Sequence, residues 1–370
     1  MSDSIYIRPI GFAPGPQCEH GNAVRLAGGM VYASRFAVIL RRDGSVAERW
    51  LATADTIGEV LGALPDAAGA EAEAQWGNLR LAHPPLDLGS RTVRLDQPQV
   101  VGILNVTPDS FSDGGRFSGP DAGRAHAAAM VEAGAAILDV GGESTRPGAK
   151  PVWEGDEIAR VVPAIEGCVA MGAAVSVDTR KSAVMEAALD RGAHLVNDVS
   201  GLAFDARSAA VIAARGCPVI LMHAPGADGE DLHEGGDYAN VVFDVFDALR
   251  ARRDAAVAAG IARENIILDP GIGFGKSLGE STALINALPL FHALGQPLML
   301  GASRKRMIGA MSNEAPASER LGGSIALAVA GMDAGVQLLR VHDVPETVQA
   351  RNVWRGLRDA ALTDFSDLPD

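Results

Sequence analysis

From about residue 98 onward, short apolar runs alternate with longer stretches in which apolar residues recur at helical spacing. Eight runs stand out: VVGIL (100–104), AAILDV (135–140), AAVSVD (173–178), HLVND (194–198), PVILM (218–222), NIILD (265–269), PLMLG (297–301) and VQLLRV (336–341). The stretches between them, such as DAGRAHAAAMVEAG, KSAVMEAALDRG and GGSIALAVAGMDAG, are alanine-rich, and several stop on the glycine that ends a helix without strain. This alternation predicts βα units on a parallel sheet. Eight units point to an α/β fold closed as a (β/α)8 TIM barrel. An open doubly wound sheet is the alternative, because periodicity alone does not show closure.

Residues 1–95 lack the alternation. FAVILRRDGSVAERWLAT reads as a strand, a tight turn at Asp43-Gly44 and a second strand, TADTIGEVLGAL as a capped helix, and PDAAGAEAEAQWG as an exposed loop. The expected organisation is a small N-terminal α+β extension over 1–95, of unassigned role and too short for a second complete enzyme, followed by a barrel over 96–370.

Composition narrows the class. A chain of 370 residues with 48% hydrophobic residues and a mean hydropathy of +0.12 can bury a full core. Cys18, Cys168 and Cys217 lie far apart with no CxxC, which suggests neither disulfides nor a zinc cluster and fits a reducing cytoplasm. Cys168 and Cys217 read as small buried residues. The N-terminus has no basic stretch followed by a long apolar one, and SIALAVAGMDAG is short and interrupted by Asp333, so no membrane association is expected. A net charge of −14 opposes non-specific binding to nucleic acid. An anionic substrate would need a local basic pocket.

Candidate chemistry lies at the strand ends, because the C-terminal rim of such a barrel carries the active site. The runs finish on or beside Asn105, Asp139, Asp178, Asn197 with Asp198, His223, Asp269, the SRKR of Ser303 to Arg306, and Arg340 with His342. Any one of these could cap a helix or satisfy a turn. Together they divide by charge. The middle strands offer carboxylates and an amide, and the last two offer cations and an imidazole, a pattern suited to a hydrogen-bonding heterocycle at one side and a phosphate at the other.

Three loops add to this. DPGIGFGKS (269–277) fails the P-loop pattern at Pro270 and the dinucleotide pattern at Lys276, which leaves a glycine-rich turn that brings Phe274 close to a flat ligand, or plain turn chemistry. GGESTRPGAKP (141–151), with Arg146 at its centre, reads as a mobile lid. TPDSFSDGG (107–115) reads as a second lid beyond Asn105. His223 and His233 read as structural or solvent-exposed.

The motifs LNVTPDSFSDGG, DVGGESTRPGA, SVDTRKSAV, VNDVSG, LDPGIGFGK, GASRKR and RVHDV, in this order, closely resemble those of the dihydropteroate synthase family, over residues 98 to about 358. The resemblance implies a (β/α)8 barrel that condenses 6-hydroxymethyl-7,8-dihydropterin diphosphate with 4-aminobenzoate, releasing 7,8-dihydropteroate and diphosphate, with Mg2+ required. It implies that Asp178, Asn197, Asp269 and Lys305 bind the pterin edge, with Met222 and Phe274 against its faces. It implies Asn105 at the metal and Arg146, Arg340 and His342 on the diphosphate. Asp109 and Phe111 from one lid, with Thr145, Arg146 and Pro147 from the other, would complete the aminobenzoate pocket. Ser303 and Arg306 fall to the same pocket, with Arg306 or the adjacent helix N-terminus meeting the carboxylate; some relatives carry serine in place of Arg306. A homodimer through late helices and a sulfonamide-sensitive site are also implied.

The chemistry accounts for the absence of a nucleophile–base pair. An aryl amine is already unprotonated at neutral pH, and the difficult step is loss of diphosphate, which needs cations at one end and carboxylates near the other. The family favours an SN1-like course, with direct displacement as the alternative. Three rival readings are weaker. A pterin-binding methyltransferase has no use for Ser303 to Arg306 or for Arg340 and His342. A non-catalytic pterin-binding paralogue would be expected to lose lid residues. A barrel for an unrelated phosphorylated metabolite would not need the carboxylates of the middle strands.

Overall fold

The protein, seen in a computed structural model, is described over residues 3–18, 21–107, 120–146, 148–226, 228–229 and 231–362. Its N-terminal part is a small antiparallel sheet. β1 (Asp3–Ala13) pairs with β5 (Tyr32–Arg42), which also pairs with β4 (Val24–Arg25) and β6 (Ser45–Thr53), while β2 (Gln17–Cys18) and β3 (Gly21–Asn22) form a separate ribbon. Asp43 and Gly44 make the expected turn between β5 and β6, both with φ in the left-handed region (50° and 79°), as a two-residue hairpin of matching twist requires. The helix expected in TADTIGEVLGAL is α1 (Ile57–Gly62). Thr56 does not cap it through its side chain; the hydroxyl accepts the Thr53 N–H instead.

The loop expected at PDAAGAEAEAQWG is a helix, α2 (Asp66–Leu79). Ala68, Ala72, Gln75, Trp76 and Leu79 form its buried stripe at helical spacing, a pattern muted in sequence because two members are alanine and one is polar. Gln75 explains its own burial. Its amide donates to Ile5 O (2.7 Å) and accepts from Ile7 N (3.0 Å), so a side chain satisfies backbone groups on β1 that no strand pairs.

After a hairpin of β7 (Leu86–Leu88) and β8 (Arg91–Val93), eight parallel strands follow. They are β9 (Gln99–Asn105), β10 (Ile137–Gly141), β11 (Val175–Asp178), β12 (Leu195–Asp198), β13 (Val219–Met222), β14 (Ile266–Asp269), β15 (Met299–Leu300) and β16 (Leu338–Val341). Their order, β14-β13-β12-β11-β10-β9-β16-β15, is sequential around a ring. Leu268 closes it by donating its N–H to Pro297 O at 2.9 Å, beside a parallel bridge to Leu298. The fold is the closed barrel.

The described helices of the barrel are α3 (Pro120–Glu132), α4 (Glu154–Ala170), α5 (Ser182–Asp190), α6 (Ser208–Arg215), α7 (Val241–Ala258), α8 (Leu278–Asn286), α9 (Leu288–Phe291), α10 (Arg306–Met311), α11 (Leu321–Asp333) and α12 (Val344–Leu362). None of the described helices is long and apolar enough to cross a membrane. Cys168 is buried and Cys217 partly so, and both are free thiols.

The two ends of the barrel differ. At the floor, Val101, Ile137, Ala174, Leu195, Ile220, Ile267, Met299 and Leu338 contribute one apolar side chain from each strand or its approach, and Leu86, Leu88, Val93 and Leu95 of the hairpin segment plug them. The end of the N-terminal region is thus part of the barrel's core. The small sheet docks on the outside, where Tyr6 packs on Phe243 and Phe246 of α7 and donates to Asp247 Oδ2 (2.7 Å).

Candidate active site

At the other end, β10, β11, β12 and β14 carry Asp139, Asp178, Asn197 and Asp269, each no more than 8% exposed. Arg340, on β16, draws two of them together: Nε donates to Asp139 Oδ2 (2.6 Å) and Nη2 to Asp178 Oδ2 (2.5 Å). Asn197 donates its amide to the same Asp139 oxygen at 3.0 Å. This leaves Asp139 Oδ1 and Asn197 Oδ1 buried without a hydrogen-bond partner among the described residues. Burial raises the pKa of Asp178 against the pull of Arg340, and raises that of Asp269 against the Gly271 N–H and Lys305. Asp198 points elsewhere. It accepts from Ser200 N and Oγ and from Leu202 N, holding a turn in which Leu202 has a φ of 65°.

An apolar wall stands beside the carboxylates, built from Val199, Met222, Ala224, Leu232 and Phe274. Phe274 lies in the 269–277 loop, and that loop is closely tied down. Lys276 Nζ donates to Gly271 O (2.9 Å), Phe274 O (3.0 Å) and His223 O (3.2 Å), and burial lowers its pKa to about 7. Gly271, at a φ of 68°, approaches so closely that a Cβ would lie 1.9 Å from His223 O. The Lys305 ammonium sits 4.0 Å from the Phe274 ring centroid and donates to Ile272 O, with its pKa lowered by burial to about 8.

The cationic side is shaped by Arg304, a non-glycine residue with a φ of 56°. Three contacts hold this strained turn: its N–H donates to Ser324 Oγ (2.9 Å), its carbonyl accepts from Arg320 (3.0 Å), and its guanidinium pairs with Asp343. Next to it, the His342 backbone N–H donates to Ser303 Oγ (3.2 Å), and that hydroxyl lies 3.0 Å from His342 Nδ1. The hydroxyl oxygen has a second lone pair as well as its own proton, so it pairs with Nδ1 in either ring tautomer. Burial, then Arg340 and Arg304, hold the pKa of His342 down to about 4, with Arg146 adding to the effect. His342 is therefore neutral at pH 7. Arg340 Nη1 has no hydrogen-bond partner among the described residues.

The family described as pterin binding enzyme matches residues 101–342. The dihydropteroate synthase of Escherichia coli strain K12 is 44% identical over 260 residues, covering 70% of this chain and 91% of that protein. The chain belongs to the dihydropteroate synthase family of pterin-binding enzymes. A protein of Haloferax volcanii named "Probable bifunctional folylpolyglutamate synthase/dihydropteroate synthase" is 47% identical over 264 residues, which is 71% of this chain and only 31% of that one. A solved structure of Xanthomonas albilineans dihydropteroate synthase with 4-aminobenzoic acid superposes with a TM-score of 0.70 at 42% identity, covering 78% of this chain and all of that one.

The residues expected at the site are distributed over the barrel mouth and its loops. Asp178, Asn197, Asp269, Met222, Phe274 and Lys305 are gathered at one mouth. Arg340 and His342 adjoin them, and Ser303, expected at the aminobenzoate pocket, lies with its Oγ 3.0 Å from His342 Nδ1. Arg146 and Arg306 are exposed, Arg306 at the first position of α10. Asp109, Phe111 and Pro147 lie outside the described residues. His223 and His233 are more engaged than expected: Lys276 Nζ lies 3.1 Å from His223 Nδ1, and His233 stacks on Phe274.

Several residues that organise this site have no individual role in the sequence reading. Asp139 ties Asn197 to Arg340, and its signal was a lone carboxylate inside an otherwise apolar strand. Lys276 holds the glycine-rich loop. Glu143 in the 141–151 loop accepts from Arg180 (3.2 Å) and pairs with Lys181, which also bonds Glu157 at 2.6 Å. Charges this scattered in sequence give no sign of their pairing.

For a metal, the described residues contain no group of three His, Cys, Asp or Glu able to hold one alone. Asn105 ends β9 in register with Gly141, its Oδ1 3.6 Å from where a Gly141 Cβ would lie, and its amide makes no hydrogen bond among the described residues. A single hard oxygen donor fits Mg2+, which commonly keeps water and shares substrate phosphate oxygens.

Proposed function

We propose that the chain joins 6-hydroxymethyl-7,8-dihydropterin diphosphate to 4-aminobenzoate, giving 7,8-dihydropteroate and diphosphate. The observation that carries this reading is the pair of buried acceptors, Asp139 Oδ1 and Asn197 Oδ1, with no partner among the described residues, set among the carboxylates and beside the Met222–Phe274 wall. Leaving such a group unpaired costs about 1–3 kcal/mol, which a ligand rich in N–H donors recovers. The edge of an aminopyrimidinone offers such donors, and its flat faces suit Met222 and Phe274.

In the proposed reaction the methylene carbon–oxygen bond breaks and its electron pair leaves with diphosphate. The aryl amine nitrogen then bonds the methylene and gives up a proton. Asp178 and Asp269 bind the pterin edge and favour positive charge on that ring system. Arg340 Nη1, the His342 imidazole and Arg146 meet the growing negative charge on the leaving group, while Lys305 lies at the pterin edge with Asp269. Mg2+ held by Asn105 would supply Lewis-acid stabilisation of the same oxygens. The 141–151 loop covers the aminobenzoate and excludes water from the cation. Substrates are thus small molecules. A homodimer fits the exposure of Val353 (61%) and Leu357 (69%) on α12, and a cytoplasmic location fits free thiols.

The test is to incubate the protein with both substrates and Mg2+ and to follow dihydropteroate and diphosphate by chromatography, beside an Asn105→Ala variant and a metal-free control. Equal amounts of both products, dependent on Mg2+ and lost in the variant, are expected. Folded protein that binds pterin yet forms no product would leave the binding paralogue or the methyltransferase as the better reading.

A further inference from the structure

The segment following β13, residues 223–240, reaches two other loops of the barrel mouth. It lies against the glycine-rich loop: Gly236 N donates to Gly275 O (3.2 Å), and a Cβ on Gly275 would come within 2.3 Å of Glu234 O. Within this segment the His233 imidazole lies nearly parallel to the Phe274 ring, with centroids 5.0 Å apart and planes 13° apart. The same imidazole spans to the 141–151 loop, where Nε2 is 2.7 Å from Thr145 O. A carbonyl only accepts, so Nε2–H is the donor. Asp231 Oδ1 accepts the His233 backbone N–H at 2.8 Å and fixes the turn that presents the ring.

A second link runs parallel to the first. Arg180, itself 5% exposed, donates to Gly229 O (2.9 Å) and pairs with Glu143 (3.2 Å), and its guanidinium lies 4.1 Å from the Phe204 ring centroid. The 223–240 segment therefore holds the 141–151 loop at Glu143 and at Thr145. Only the His233 contact passes through a ring that also touches Phe274.

We propose that His233 is a positioning residue that ties the 141–151 loop to the pterin wall, so that a pterin resting on Phe274 sets the loop for aminobenzoate. This rests on the proposed reaction, in which that loop covers the aminobenzoate. The Nε2–H, which carries the Thr145 carbonyl, supplies most of this tie, and the face of the ring against Phe274 supplies the rest.

Steady-state kinetics of the full chain with His233→Ala, His233→Phe and His233→Gln separate the two. Calorimetry with dihydropterin diphosphate and Mg2+, without aminobenzoate, reports the pterin site alone. Loss of one such hydrogen bond predicts a KM for 4-aminobenzoate raised about fivefold to tenfold in His233→Ala and His233→Phe, with the pterin Kd within about twofold of native. His233→Gln keeps a donor and recovers most of the KM. Should His233→Ala not fold, the Phe and Gln variants alone decide. An unchanged aminobenzoate KM in His233→Phe, equal rises for both substrates, or a Gln variant no better than Phe would overturn the proposal. A native protein that forms no dihydropteroate would overturn the proposed reaction instead.

Discussion

The same eight strands end in opposite ways. At the floor, Val101, Ile137, Leu195, Ile220, Ile267, Met299 and Leu338 meet Leu86, Leu88, Val93 and Leu95 in a wholly apolar plug. At the mouth, Asp139, Asp178, Asn197 and Asp269 are nearly as buried, yet they pack around Arg340 with two acceptors unpaired among the described residues. The floor gains stability from every group it removes from water. The mouth holds groups whose desolvation opposes folding and which are best satisfied by a ligand. Stability and function are thus separated along the barrel axis.

The strongest way to break this comparison is Asp178→Ala. We expect kcat/KM to fall about a thousandfold, equivalent to ~4 kcal/mol of transition-state binding. Stability should change little, because Arg340 keeps Asp139 and one buried carboxylate is removed. Steady-state rates beside thermal unfolding check both halves, and a large fall in Tm would show that the mouth is also structural support.

Ile267→Ala is the converse at the floor. Ile267 is fully buried in the plug, and its truncation should cost about 3 kcal/mol in denaturant unfolding while both KM values stay near native. A changed KM would mean that the floor shapes the site.

The smallest effect concerns pH. The pKa of His342 lies near 4 in the folded protein, below its ordinary value of about 6.5, so the unfolded chain binds more protons between those values. Its contribution to stability is therefore complete above pH 6.5 and is lost progressively as pH falls toward 4. Asp178 and Asp198, raised by burial, act with the opposite sign. Comparing native with His342→Gln isolates the histidine: the variant should lose less stability than native between pH 6.5 and 4. Identical slopes would mean that His342 is not held neutral.

Much of this protein was legible along the chain. The eight runs became eight strands, and the turn at Asp43-Gly44 and the glycines closing the helices, such as Gly134, Gly192 and Gly335 at positive φ, stand where local chemistry puts them. These features depend on a few neighbouring residues. α2 was misread because its buried stripe is mostly alanine and glutamine, and only β1 gives Gln75 its purpose.

At the site the division is the same. Residue types at strand ends announced a polar mouth with carboxylates on one side and cations on the other, because strand direction alone sends those ends to one rim. Closure of the ring, the choice of Arg340 as partner for Asp139 and Asp178, the pairing of His342 with Ser303 and the reach of His233 to Thr145 were decided by tertiary structure. Each depends on groups far apart in the chain whose mutual distance exists only after folding, and at a few ångströms distance governs both hydrogen bonding and charge.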